Sequence, residues 1–232
     1  MQILQVRLDA AAEHTEALLH FYADQLGLSA VGGHGSYGFR AGNSVITFNP
    51  ISNGKPFYHY ALRVPRNRFV AAHDWLAGHA ELLVDQGSGE TRFAFEDWDA
   101  EACYAHDPCG NILELIAHHG LPEERPAGRP FSAAELLGVC ELGLVGADTP
   151  AMARALEAVR IGLWDGTVDE PGRLSFMGGR DGLLILSPVG RGWLPTGRPA
   201  ELHAVEAVVS GLDEAEITLP GTPHRVRTTA SS

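Results

Sequence analysis

With 232 residues, 45% of them hydrophobic, the chain is long enough for one large domain or two small ones and can build a real core. Its formal charge of -12, from 17 Lys and Arg against 29 Asp and Glu, argues against nucleic acid or an anionic membrane as partner and for a small molecule. Met1 runs directly into a strand pattern and no apolar run reaches membrane-spanning length. The expected location is therefore cytoplasmic, and the odd set Cys103, Cys109 and Cys140, with no C-x-x-C pair, reads as reduced thiols.

Residues 2–8 alternate, with Leu4, Val6 and Leu8 on one face and Ile3, Gln5 and Arg7 on the other, which predicts a half-buried strand. A helix is expected over 11–26, with Leu18, Phe21, Tyr22 and Leu26 at helical spacing and Gly27 as its stop. Glycine-punctuated strands follow near 29–32, 36–41 and 44–49, so residues 1–50 read as a β-α-β-β-β unit. The order repeats over 57–117. Tyr58, Tyr60, Leu62 and Val64 oppose His59, Ala61 and Arg63, a helix over 67–78 turns Phe69, Ala72 and Leu76 inward, and strands follow near 81–85, 91–96, 102–106 and 111–117. His59 takes the place in this unit that Gln5 holds in the first. The loop with Glu96, Asp97 and Trp98 is longer than its counterpart, and Trp98 reads as either a specificity residue or a core plug.

Residues 118–135, with Pro122, Pro126, Gly128 and Pro130, are expected to be a linker. A third unit begins at 136 with a strand over 139–145. Asp148-Thr149-Pro150 then caps a helix lined by Met152, Leu156 and Val159, and a hairpin over 176–188 parallels the one over 39–50. Glu141 occupies the slot of Gln5 and His59, but Ile185 stands where a last-strand ligand would be, so this unit reads as degenerate and metal-free. It is expected to close with a strand over 202–209, within a segment 136–221, followed by a disordered tail over 222–232. The Gly-rich run 177–182 lacks the following Lys-Ser/Thr of a phosphate loop.

The turn Asp107-Pro108-Cys109-Gly110-Asn111 leads into a strand on which Ile112, Glu114 and Ile116 share one face. A carboxylate set among aliphatic neighbours needs a partner or a cation unless it reaches solvent from an edge strand, and both readings are open at this point.

The two β-α-β-β-β units, the strand Tyr58-His59-Tyr60-Ala61-Leu62-Arg63-Val64, and the 107–111 turn followed by Glu114 resemble the vicinal oxygen chelate superfamily, which includes glyoxalase I, extradiol dioxygenases and fosfomycin- and bleomycin-resistance proteins. The resemblance implies an α+β fold in which the units over 1–50 and 57–117 pair into a cup-shaped mixed sheet, with the third unit as a degenerate addition. It also implies a divalent metal, Fe²⁺, Mn²⁺, Zn²⁺ or Mg²⁺, held by Gln5, His59 and Glu114, with Glu114 also the catalytic carboxylate and Arg7, Arg63 and Trp98 in contact with substrate. The last-strand slot of the first unit falls at Thr47 or Ile46, neither of which is a carboxylate. The expected function is metal-dependent chemistry of the lyase, isomerase or ring-cleaving oxygenase kind on vicinal oxygens of a small substrate. The alternative is a metal-free sequestering protein of the bleomycin-resistance type. The open edge of the third unit is expected to be covered by a second copy in a C2 homodimer or by the 202–209 strand, with the homodimer favoured, since Leu142, Leu144, Leu184 and Leu186 are too apolar to stay wet.

Overall fold

The computed structural model describes residues 1–33, 36–170 and 172–230. The first unit runs β1 (Gln2–Ala11), a helical stretch with α1 (Thr15–Leu19) at its centre and a wider-wound turn (His20–Gln25) after it, β2 (Ser29–Gly33), β3 (Ser36–Ala41) and β4 (Ser44–Ile51). The second runs β5 (His59–Arg63), α2 (Phe69–Ala77), β6 (Phe93–Phe95), β7 (Ala100–His106) and β8 (Ile112–His118). The strand expected over 81–85 reduces to a single bridge between Leu82 and Ala105. The third unit is complete: β9 (Gly138–Gly146), α3 (Thr149–Ala158), β10 (Leu163–Gly166), β11 (Ser175–Gly179) and β12 (Gly182–Pro188). Asp148 accepts a hydrogen bond from the Ala151 N–H at 2.9 Å, and Pro150 stands where a helix needs no N–H, so α3 starts where the capping pattern put it.

After a small hairpin of β13 (Gly192–Trp193) and β14 (Arg198–Pro199), the chain forms a fourth, helix-less unit of β15 (Val205–Ser210), β16 (Ala215–Thr218) and β17 (Arg225–Thr229). In all four units the first strand pairs parallel with the last: β1 with β4, β5 with β8, β9 with β12 and β15 with β17. Tandem βαβββ units in a large mixed sheet with a degenerate C-terminal unit are the architecture, and the incomplete unit is the fourth. Residues 225–229 were expected to lie in a disordered tail. They form a strand instead because Val226 and Thr228 alternate inward, and Val226 is buried in the main core.

The units do not pair in the expected order. β1 pairs antiparallel with β15 and β5 with β9, so the first unit makes a cup with the fourth and the second makes a cup with the third. The two cups join at one β1–β9 bridge, Ile3 to Val139. Every unit offers the same kind of first-strand edge, so periodicity marks the units without saying which edges meet. The β9 edge that motivated a second copy is thus paired within the chain. Leu142, Leu144, Leu184 and Leu186, moreover, face the helix-side core rather than the concave face. Leu4 forms a bulge between Ile3 and Gln5, which moves Ile3 into the core beside Val6 and Leu8 and leaves Leu4 half-buried.

The 118–135 segment is strapped down rather than loose. Arg68 donates through Nε to Glu135 at 2.9 Å and through Nη2 to the Arg129 carbonyl at 2.7 Å, and Asn67 donates to the Arg125 carbonyl at 2.8 Å. No helix among the described residues is long and apolar enough to cross a membrane.

Candidate metal centre and substrate cavity

The site begins at the turn before β8. Asp107 Oδ1 accepts from the N–H groups of Cys109 at 2.8 Å and Asn111 at 3.0 Å, and Gly110 adopts φ +76°, which a residue with a Cβ reaches only with strain. The turn holds Asn111 so that its Oδ1 accepts the Tyr58 N–H at 2.8 Å, while the Ile112 N–H donates to the Tyr58 carbonyl at 2.8 Å. These bonds set the parallel β5–β8 register. Tyr22 Oη donates to Asp107 Oδ2 at 2.8 Å from beneath and Tyr60 is hydrogen-bonded to Tyr22, so the turn is tied to the core.

In that register Ala61 lies beside Glu114 on one side and Glu141 on the other. Its methyl group leaves the floor of the cup clear between two carboxylates, and His59, two residues earlier on β5, completes the group. His59, Glu114 and Glu141 each present a donor atom within 4.8 Å of the others. The His59 Nε2–Glu114 Oε2 distance is 2.9 Å, and Tyr104 Oη, opposite Glu114 on β7, donates to Glu114 Oε1 at 3.1 Å. The side chains are 6%, 2% and 3% exposed, which removes the reading of Glu114 as an edge residue reaching water. Burial pushes both carboxyls up to about 8 and the His59 imidazole down to about 4. The Glu114 charge adds to the rise at Glu141. Glu141 Oε1 and His59 Nδ1 have no hydrogen-bond partner.

Above this floor lies a cavity of about 360 Å³ walled by Phe95, Trp98, Ile116, Leu174, Phe176, Ile185, Trp193 and Leu194, with Tyr104 and Arg191 among its polar lining. Trp193, on the β13–β14 hairpin, stacks on the His59 ring at 5.0 Å. Gly143 makes room for it: a Cβ there would lie 2.9 Å from the Trp193 ring. Trp98 meets Phe176 edge-to-face at 4.6 Å and donates through Nε1 to Asp165 at 2.6 Å.

The residues expected at the site divide three ways. His59 and Glu114 converge, and Trp98 lines the same cavity. Gln5 and Arg7 line a separate concavity of about 280 Å³ in the other cup, with Thr47, Glu206, Glu216, Arg225 and Arg227. Gln5 is not brought to His59 because its strand belongs to the cup that β15 completes. Arg63 is buried in ion pairs with Glu123 at 3.0 Å and Asp181 at 2.8 Å, which occupy its guanidinium. The third donor, Glu141, was legible as the occupant of the shared first-strand slot. The aliphatic Ile185 in the last-strand slot of its unit is what makes that unit read as metal-free in sequence. Tyr104, Arg191 and Trp193 carried no motif.

No family model matches the chain, and no curated protein matches it. Among solved structures it is similar to a provisionally named dioxygenase of Bacillus subtilis subsp. subtilis str. 168, at 15% identity and a TM-score of 0.61, over 98% of this chain and 85% of that one. It is also similar to glyoxalase I of Zea mays, at 14% identity and a TM-score of 0.53, over 98% of this chain and 91% of that one. Four strand units paired into two cups, superposing over nearly the whole chain on these structures, give this protein the fold of the vicinal oxygen chelate superfamily.

Proposed function

We propose that the protein is a metal-dependent enzyme that takes a small oxygenated organic substrate into the cup of the second and third units, with His59, Glu114 and Glu141 holding a divalent cation. The observation that carries this reading is the convergence of three buried donors within 4.8 Å, one carboxylate oxygen among them without a partner. The donor set fits such a cation: two carboxylates balance its charge, and one imidazole with oxygen donors suits Mn²⁺, Fe²⁺, Zn²⁺ or Mg²⁺. Without a cation, burial disfavours the charged form of all three groups and the two carboxyls oppose each other's ionisation, and the attraction between Glu141 and the imidazole does not offset this. When bound, the metal supplies a Lewis acid for substrate oxygens.

The chain's own groups do the rest. Tyr104 orients Glu114 through its hydrogen bond, and Trp193 holds the His59 ring by stacking on it. The aromatic walls offer few polar groups to hold water beside the substrate. Glu141 has a second carboxylate oxygen besides the one it offers the cation, and that oxygen can take a proton from the bound substrate, a role that suits lyase- or isomerase-type proton transfer.

Elemental analysis of protein purified without chelators tests this. One divalent metal per chain is expected, with occupancy falling in His59→Ala and Glu141→Ala and unchanged in Gln5→Ala. A metal that persists in Glu141→Ala and disappears in Gln5→Ala would overturn the assignment. Metal-free protein that still binds aromatic ligands would instead be a sequestering protein.

A further inference from the structure

One charge in the cavity is left without a counterpart. Arg191 lines the same space as His59, Glu114 and Glu141, yet it forms no ion pair with a carboxylate among the described residues. Its Nη1 donates to the Gly192 carbonyl at 2.9 Å, and its remaining N–H donors are available. The backbone that carries it is fixed: the Arg191 N–H donates to the Pro188 carbonyl at 3.2 Å and its own carbonyl accepts from Ala200 at 2.7 Å. Partial burial, with the charge of Arg173 adding to it, pushes the guanidinium down from its usual pKa. A guanidinium without a carboxylate partner, lining a cavity walled largely by aromatic and aliphatic groups, is stabilised by an anion placed against it.

We propose that the cavity takes an aromatic carboxylate, its ring packed among Trp98, Phe176 and Trp193 and its carboxylate on the Arg191 guanidinium. The charge balance rests on the metal reading above: Glu114 and Glu141 neutralise a divalent cation, so the one uncompensated charge is that of Arg191, and a ligand of single negative charge completes the site. The guanidinium fork matches a carboxylate in two parallel hydrogen bonds. A cavity of about 360 Å³ is of the size that encloses one or two fused rings.

The test is calorimetric titration with 2-naphthoate and with the neutral 2-naphthamide, on wild type, Arg191→Met and Arg191→Lys, with the metal content of each sample measured. Wild type should bind 2-naphthoate about tenfold or more tighter than 2-naphthamide, as expected for a charge-assisted bidentate contact. Arg191→Met should abolish that preference, and Arg191→Lys should keep part of it. Equal binding of the two probes by wild type, binding of neither, or a preference that survives Arg191→Met would each overturn the proposal. If Arg191→Met fails to fold, Arg191→Lys decides: an undiminished preference in that variant overturns the proposal, and a reduced one at equal metal content supports it. A preference that follows metal content and ignores Arg191 would place the carboxylate on the metal, sinking this proposal while the metal reading stands. An Arg191-dependent preference in protein that binds no metal would do the reverse.

Discussion

Asn111 shows how much of the site hangs on one side chain. Its Oδ1 takes the Tyr58 N–H immediately before His59, and its Nδ2 donates to Asp107 at 2.7 Å, so it joins the turn to the strand that carries the imidazole. Asn111→Ala leaves a buried N–H unpaired and should cost about 1–3 kcal/mol, measured by urea unfolding. His118, at the end of β8 and stacked on Trp98, is buried with both ring nitrogens. Burial and the nearby Arg180 and Arg63 charges push it down to about 4. Its folded pKa lies below its unfolded one, near 6.5, so the unfolded chain binds the extra proton. The stability associated with a neutral His118 is thus present above about 6.5 and lost as pH falls toward 4. His118→Leu should therefore raise the melting temperature more at pH 5 than at pH 7.5. An equal rise at both would refute a protonation effect.

At the scale of elements, the β13–β14 hairpin lies over the cup and presses Trp193 onto His59. Arg198 packs over the Phe57 ring at 3.3 Å and donates to the Gly110 carbonyl at 3.1 Å, which ties the hairpin back to the turn that positions β8. The same hairpin region brings Arg191 to the cavity, so one excursion outside the repeated units supplies both a wall and the candidate anion contact. Gly143→Ala would drive a methyl into the Trp193 ring, where the fit is already closed. A loss of about 1–3 kcal/mol in stability and weaker aromatic-ligand binding are expected from denaturant unfolding and titration of the same variant. A variant indistinguishable from wild type in both would mean that Trp193 leaves His59 at little cost.

For the whole molecule, β17 distinguishes a fold of three units and a tail from one of four units in two cups. Val226 is fully buried in a core shared with Ile3, Val6 and Val209. Val226→Ala should cost about 2 kcal/mol, as a core truncation does, where a disordered tail would lose nothing. The second concavity, with Gln5, Arg7, Glu206, Arg225 and Arg227, is lined by charged groups that partly pair with each other. Arg7 lies 3.9 Å and Arg225 3.8 Å from Glu206, and among the described residues the buried donor cluster lies in the other cup.

Alternation and glycine punctuation in the sequence by themselves determined the first strands and hairpins of the first three units, the helix faces of α2 and α3, and the shared slot held by Gln5, His59 and Glu141, because each depends on the period of a single element, whereas the fourth unit, without a helix, was not legible. Glu114 was legible only as one of two readings, since a carboxylate between Ile112 and Ile116 needs a partner when its strand is interior and none when it is an edge, and the burial of β8 decided between them. Which slots would share a cup was decided only in tertiary structure. A first strand offers the same backbone donors and acceptors to any neighbouring edge, and the choice of β9 over β1 as partner of β5 rests on packing spread over the whole sheet. That choice replaced Gln5 with Glu141. It changed the candidate donor set from an amide, an imidazole and one carboxylate to an imidazole and two carboxylates, which can balance a divalent charge.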